Sequence, residues 1–352
     1  MNAPIEIKIV PITANDGCQD PVLLNDWHVV GYADDFTAGT IYPARLLERD
    51  LIVWRTEDGQ INVWEDLCIH RGARLSKGWI KNDHVVCPYH GWEYDCSGKC
   101  TRMPAAPDEK PMKKAVAFPY HACERFGFVW VCLGEPQADI PDFPDWHKPD
   151  FMKVHSGPYV YNANGYRAIE NFIDASHFPF VHAGLNGVKD DADRLDPYTV
   201  DEFDFGLKSS EVRVFQPVGD ATGHPLIAYY TYHAFRPLVA YFSKRTQRSD
   251  AKGQPVTDHS DSFGTFFTVQ MVDQTHCIVR VCAAMNVSPA PDPKAVRDRA
   301  DVIFNQDKDI VETQRPERIP VELRYELHHR TDLMGQRYRT WLRNKGISYG
   351  VI

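Results

Sequence analysis

Two short stretches of this 352-residue chain carry donor side chains at high density: Cys68-Ile-His70-Arg-Gly and Cys87-Pro-Tyr-His90-Gly-Trp. Each offers one thiolate and one imidazole close enough together to reach one centre. Gly72, Pro88 and Gly91 let the two loops turn tightly around it. Zinc accepts two cysteines and two histidines, but finger spacing groups the cysteines first and the histidines after them. Here each loop supplies one of each. That division suits a two-iron, two-sulfide cluster whose cysteine pair holds one iron and whose histidine pair holds the other. Imidazole is neutral where thiolate is charged, so such a ligand set raises the cluster potential and leaves the iron at His70 and His90 near solvent. Zinc, and four core residues in chance register, are the competing readings. Cys96, Cys100 and His84 lie nearby but outside the pattern and read as bystanders, His84 as an exposed residue opening a strand.

A second set of donors follows in ENFIDASHFPFVH, where Asp174, His177 and His182 come in quick succession. At about 100° per residue, Ile169, Phe172, Ile173 and Ser176 share one helical face, with His177 at its edge. Pro179 cannot donate to the carbonyl of Ala175, so the helix is expected to end or widen there and free His182 to swing back toward His177. Two histidines and a carboxylate make the mononuclear non-haem Fe(II) triad, which leaves positions open for dioxygen.

A carboxylate is available further on. The stretch from Ser288 predicts an amphipathic helix running to about Arg315, where Pro316 stops it. Ala300, Ile303, Phe304, Ile310, Val311 and Gln314 form one stripe with Asp307 in its middle, while Asp301, Asp309 and Glu312 point elsewhere. A carboxylate centred on an apolar face is costly unless it ligates or pairs. Asp307 is therefore read as the third ligand, with a buried ion pair as the alternative; for the two histidines the alternative is satisfied core imidazoles. Asp174 stands one turn before His177 and can accept its second ring N–H, orienting the ring; otherwise it is a solvent-facing helix residue.

These side chains need scaffolds. Residues 27–66 and 115–133 read as short alternating strands, with Asp58-Gly59 as a hairpin turn between LIVWR and INVWE. An all-β domain over 25–135 is expected, with the first donor set on its loops. Pro and Asp dominate the next stretch, which reads as a connector over 136–150. The remainder, 151–352, predicts an α+β domain, an antiparallel sheet flanked by helices in a helix-grip arrangement. The sheet near 226–285 is rich in aromatics, including Tyr230, Tyr232, Phe242 and Phe267, as plain core or as a pocket wall. Asn171, Phe178, Phe180 and Asn186 flank the expected ligands and are expected to line the site.

Composition bounds the possibilities. The length suggests about two domains, and 43% hydrophobic with 25% charged residues is ordinary for a globular protein. Net charge is -9, with Lys and Arg scattered, which argues against nucleic acid or anionic lipid as a partner. Apolar runs such as RFGFVWVCLG fall far short of a membrane span, and MNAPIEIKIVPITANDG shows no secretory pattern. Nine cysteines without regular spacing do not make a disulfide framework, so a reducing, cytoplasmic location is expected.

Taken together, the cluster loops, the run Asn171-x-x-Asp174-x-x-His177-x4-His182 and Asp307 with Glu312 five residues on resemble the catalytic α subunit of a Rieske non-haem iron oxygenase over nearly the whole chain. Within that family the sixteen-residue gap between the cluster loops, the modest length and the ending TWLRNKGISYGVI resemble the α-only monooxygenases and demethylases, and ERFGFVWVCLGEP and the YGVI tail look most like the enzymes that hydroxylate saxitoxin-type alkaloids. The resemblance implies a 2Fe-2S Rieske cluster on Cys68, His70, Cys87 and His90, and mononuclear Fe(II) on His177, His182 and Asp307. It also implies O2 as co-substrate, electrons from NAD(P)H through a separate reductase (or reductase and ferredoxin), and a head-to-tail homotrimer. In that trimer Asp174 would link His177 to His90 of the neighbouring subunit. The expected reaction is hydroxylation or oxidative demethylation of a small aromatic or nitrogen-containing ring compound. A cis-dihydroxylating ring dioxygenase is the alternative within the family. A Rieske electron-transfer protein or a zinc-stabilised binding protein is the alternative outside it.

Overall fold

The computed structural model describes residues 17–189, 194–204, 206–217 and 224–352, with the backbone alone at 257–260. Residues 1–16, read above for a secretory signal, lie outside the described residues. Two compact units divide the chain at Ala138 and Asp139.

The first unit follows a one-turn helix, α1 (Pro21–Leu24), with short strands. These are β1 (His28–Tyr32), β2 (Ile41–Leu46), β3 (Arg49–Arg55), β4 (Ile61–Glu65) and β5 (Trp79–Lys81). They continue with β6 (His84–Val86), β7 (Glu93–Tyr94), β8 (Cys100–Arg102), β9 (His121–Arg125) and β10 (Phe128–Cys132). Three antiparallel sheets result, in the orders β1-β10-β9, β2-β3-β4 and β5-β6-β7-β8. The β3–β4 hairpin turns where Asp58-Gly59 predicts it, with Gly59 at φ +94. Trp54 and Trp64 from that hairpin meet edge to face at 5.2 Å. They anchor a buried cluster that includes Leu75, Val85, Tyr94, Cys100 and both loop cysteines, Cys68 and Cys87. The cysteines are thus fixed by the core itself; truncating either tryptophan costs about 3–5 kcal/mol. His84 opens β6, as expected, and its Nδ1 lies 2.7 Å from Asn82 O.

The second unit is a large antiparallel sheet with helices on one face. Its strands are β11 (Met152–Tyr161), β12 (Val200–Phe203), β13 (Gly206–Ser209), β14 (Val212–Gln216) and β15 (Leu226–Arg236). Longer strands follow, β16 (Val239–Ser249), β17 (Pro255–Met271) and β18 (Cys277–Asn286). The order is β11-β18-β17-β16-β15-β13-β12, with β14 also against β15. Helices α2 (Gly165–Phe172), α3 (Phe178–Val181), α4 (Pro293–Val311) and α5 (Leu333–Asn344) complete it.

Strand alternation divides the sheet residues between two faces. On the inner face Phe172 of α2 stacks on Phe242 and Phe267 at 5.2 and 4.2 Å, and Phe304 of α4 lies 5.9 Å from Phe267. On the outer face Phe143 stacks on Phe266 at 5.1 Å, and Tyr241 OH donates to the buried Asp145 at 2.7 Å. The later part of the expected connector therefore packs on this sheet. Ile140 and Phe143, set among Pro and Asp, are the apolar residues that it buries.

Two helices differ from expectation in ways that shape the site. α2 ends at Phe172, well before Pro179. The Asp174 carboxylate accepts from the His177 backbone N–H at 3.0 Å and closes a turn in competition with the helix. Pro179 then sits in the first turn of α3, where its missing N–H leaves no bond unmade. On α4 the buried stripe is Phe304, Asp307 and Val311, narrower than predicted, and Ile310 is exposed. Asp301 accepts from Tyr159 OH and Glu312 from Asn162 N, so both face β11 or its end. That register holds Asp307 inward.

The start of α2 is pinned as well. Asn164 caps it at Tyr166 N and donates to Gly350 O at 2.8 Å, tying the YGVI tail to the helix that leads into the site. Arg339 of α5 bridges Glu170 of α2 and Glu326, and Arg167 pairs with Glu326 at 2.7 Å. Both arginines are buried, and removing one partner would strand a buried charge at about 3–5 kcal/mol.

Candidate functional site

His177, His182 and Asp307 offer one donor atom each within 4.8 Å of one another, and among the described residues no other set of three His, Cys, Asp or Glu does so. His177 caps the start of α3, His182 caps its end, and Asp307 comes from α4. The break at Asp174 and the short α3 turn the two imidazoles to the same side. His177 Nε2 and His182 Nε2 are 3.2 Å apart, and Asp307 Oδ1 lies 3.5 Å from the first and 3.2 Å from the second.

The outer ring nitrogens fix which atoms carry protons. His177 Nδ1 lies 2.8 Å from Asp174 Oδ2, and His182 Nδ1 lies 3.0 Å from Gln306 Oε1. Both oxygens accept, so each Nδ1 holds the ring proton and each Nε2 presents a lone pair. Asp307 Oδ1 is buried and meets no hydrogen-bond donor. Three acceptor atoms thus face one point with nothing to bridge them, an arrangement that costs several kcal/mol when buried. A single divalent metal removes that cost, and two imidazoles with one carboxylate form the facial set that suits Fe(II). The residues fit the ion.

Asp174 is more than an orienting carboxylate. Its two oxygens accept from Ser176 Oγ at 2.8 and 3.0 Å and from the His177 N–H and Nδ1. Burial pushes its carboxyl up, but the hydrogen bonds and charge of His177, aided by Ser176, outweigh this and hold it below the usual range.

The other expected site residues are distributed differently. Phe178 is buried between the metal-site rings and the sheet, 4.8 Å from His177, 5.8 Å from His182 and 5.5 Å from Tyr230. Asn186 is buried and accepts from Arg299 of α4 at 2.9 Å. Asn171 is half-buried at the end of α2, and Phe180 is 56% exposed. Gln306 escaped sequence reasoning. It neighbours Asp307, but nothing in its type or period marks it, and its partner is 124 positions away.

In the first unit the donors form two pairs, with no three converging as the metal triad does. Cys68 and Cys87 are buried, and their thiols are close enough to perturb each other. Cys87 is drawn below the usual thiol range by the Cys68 thiol, against burial, with the backbone N–H groups of Tyr89 and His90 aimed at its sulfur. The His70 and His90 rings lie 4.5 Å apart, and Trp92 stacks flat on His70 at 4.3 Å. Burial, then the charges of His90 and Arg71, hold His70 below the usual imidazole range, favouring the neutral ring that a metal needs. A thiol pair beside an imidazole pair fits two irons better than one tetrahedral zinc.

The two loops repeat one backbone turn. Gly72 N donates to Cys68 O and Gly91 N to Cys87 O, each glycine four residues after its cysteine, with φ +69 and +68. Cys68 N and Cys87 N donate to Ala73 O and Trp92 O, each five residues on. The same turn therefore carries its histidine at different offsets in the two loops.

Comparison with known proteins agrees with both halves. The Rieske 2Fe-2S domain model matches residues 26–119, and that of the vanillate O-demethylase oxygenase C-terminal domain matches 161–346. Methylxanthine N1-demethylase NdmA of Pseudomonas putida is 27% identical over 314 residues, covering 85% of this chain and 81% of that protein. The structure of Pseudomonas putida CBB5 NdmA with caffeine superposes with TM-score 0.74 at 26% identity, covering 92% of this chain and 90% of that one. Dicamba monooxygenase bound to dicamba shares the fold, with TM-score 0.76 at 22% identity, covering 92% and 97%. A shorter match, 34% over 117 residues, covers 33% of this chain and 20% of the oxidoreductase NdmD of Pseudomonas putida. With its Rieske domain and its vanillate O-demethylase-type oxygenase domain, the chain belongs to the Rieske non-haem iron oxygenases.

Proposed function

We propose that this oxidoreductase is the terminal oxygenase of a monooxygenase system that hydroxylates or oxidatively demethylates a small aromatic or nitrogen-containing ring compound. One observation carries the reading: two imidazole lone pairs and an unpartnered buried carboxylate oxygen converge on one point. When bound there, Fe(II), with electrons from a 2Fe-2S cluster on Cys68, His70, Cys87 and His90, supplies the redox chemistry that O2 requires. The protein's own residues set the conditions for it. Gln306 and Asp174 hold the two rings in the tautomer that turns Nε2 inward. Asp174 also keeps a carboxylate beside the His177 Nδ1 proton, where it can accept or return that proton. Phe178 and Tyr230 exclude water from one side of the triad.

The match to NdmD, an oxidoreductase, supports a separate reductase fed by NAD(P)H as the electron source. The cysteine pair is buried while His90 is exposed, and the Asp174 side chain is 24% exposed. That supports a head-to-tail trimer in which Asp174 meets His90 of the partner subunit. No two of the nine cysteines are joined in a disulfide, in keeping with a reducing cytoplasm, and no helix among the described residues is long and apolar enough to cross a membrane. The domain boundaries proposed from sequence, 25–135 and 151–352, bracket the two matched families.

The test is reconstitution of purified protein with a generic reductase, NAD(P)H and a panel of ring compounds. About three irons per chain and substrate-dependent O2 uptake are expected, with one oxygen atom from labelled O2 in the hydroxylated product or, where a methyl group is lost, in the formaldehyde as it is released. A cis-diol carrying both labelled atoms would replace the monooxygenase reading by the dihydroxylase one.

A further inference from the structure

Among the described residues of the inner face, one contiguous patch at the centre of the sheet is only partly buried. Phe242 and Lys244 on β16, Phe263 and Thr265 on β17 and Ala283 on β18 are cross-strand neighbours in register, Lys244 opposite Phe263, Phe242 opposite Thr265 and Thr265 opposite Ala283. Each is only partly buried, whereas Gly264, Phe266 and Ala284, between them on the opposite face, are buried. Side chains left partly exposed at the centre of a helix-covered sheet offer a ligand a surface to lie on. This patch is linked to the metal centre through Tyr230, whose ring lies 5.5 Å from Phe178 and 5.3 Å from Phe242.

Lys244 is the cation in this apolar wall. Its Nζ lies 5.3 Å from the ring of Tyr230 and 5.4 Å from that of Phe263, its two cross-strand partners. Among the described residues no carboxylate pairs with it. Half-buried ammonium groups normally find an acid, because aromatic faces recover only part of the lost hydration. The missing counter-charge is then one that arrives with a ligand.

From this we infer that Lys244 binds the anionic group of the substrate, so that the enzyme acts on planar ring compounds bearing a carboxylate. The ring lies against Phe242 and Tyr230, with its acid end at Lys244 and its reacting carbon toward His177, His182 and Asp307. This inference rests on the oxygenase reading and narrows its substrate class.

Isothermal titration of the iron-loaded, anaerobic holoenzyme with matched probes tests it, using 3- and 4-methoxybenzoate against 3- and 4-methoxybenzamide. In at least one pair the acid is expected to bind more tightly by about tenfold or more, the scale of one charge-assisted hydrogen bond. Lys244→Met should bring that ratio near unity by weakening the acid alone, and Lys244→Arg should keep it. Should Lys244→Met lose iron or melt early, Lys244→Gln takes its place. Amides binding as tightly as acids, no binding by any probe, or a preference surviving the loss of the ammonium would each overturn the inference. Iron content and reductase-driven O2 uptake of the unaltered enzyme test the oxygenase reading separately, so the two can fail independently.

Discussion

Asp307 Oδ1 lies 3.2 Å from His182 Nε2, and neither atom has a proton to share. The ring proton of His182 is on the far nitrogen, held by Gln306. Two lone pairs at that distance in a buried place repel, so the fold maintains the contact at a cost that a cation would remove.

Asp307→Asn should therefore act in opposite directions in the two forms of the protein. Without the mononuclear metal it should stabilise by about 1–3 kcal/mol, because a buried unpaired charge becomes a neutral amide that can donate. In the loaded protein it should abolish the site, and iron should fall from about three to about two per chain. Calorimetry of chelator-treated and loaded samples, with iron assay, reads both effects. A lower melting temperature in the chelator-treated variant would mean that Oδ1 has a donor after all.

Gln306→Leu removes the acceptor that fixes the His182 tautomer. Metal affinity should drop by about 10–100-fold, the usual effect of losing such an outer hydrogen bond. Gln306→Glu keeps an acceptor and should lose far less. Titrating chelator-treated protein with Co(II) and following its visible bands distinguishes the two; equal affinities for Leu and Gln would remove Gln306 from the account.

For Asp174→Asn, both metals should stay while turnover falls by about 10–100-fold. The amide can still accept from the His177 N–H but no longer carries a charge beside Nδ1. Ser176→Ala deletes only a donor to the carboxylate and should change turnover little. Full activity in Asp174→Asn would sink the coupling role.

The paired glycines give a graded test of the cluster loops. Gly72→Ala places a Cβ 3.7 Å from Leu67 Cδ1, an ordinary contact, so it should cost only the strain of its positive φ, about 1–2 kcal/mol. Gly91→Ala adds a contact of 3.0 Å with Pro104 Cγ and should cost more. Absorbance of the red-brown cluster after purification should rank native, then the first variant, then the second; the reverse order would refute the shared-turn geometry.

One stability effect should follow pH. Burial, with a smaller contribution from Lys208, lowers His233 to about 4. The unfolded chain then binds this proton at pH values where the folded one does not, so stability rises with pH between about 4 and 6.5. His233 favours folding fully above 6.5 and loses up to about 3 kcal/mol of that as pH falls toward 4. Chemical denaturation at pH 5 and 7, with His233→Asn as control, measures the difference. The same pH dependence in the variant would assign the effect elsewhere.

Much of this molecule is legible in one dimension because metal chemistry restricts donor types severely. Cys68, His70, Cys87 and His90 sit in two turns of five residues, where local backbone geometry alone brings each pair together. Asp307 stands out because α4 is periodic and a carboxylate in an apolar stripe breaks the pattern. Where the chain must choose between local alternatives, the pattern misleads. The 166–178 period continues past Phe172, yet a side-chain bond from Asp174 ends the helix. Ile310 fits the stripe, but α4 rests on the sheet along a narrower line. Only the tertiary structure pairs Gln306 with His182, sets Lys244 between two rings, and packs residues 140–145 on the outer face. The first and the last join segments more than a hundred positions apart, and the second depends on the register of three neighbouring strands; no periodicity encodes either kind of pairing.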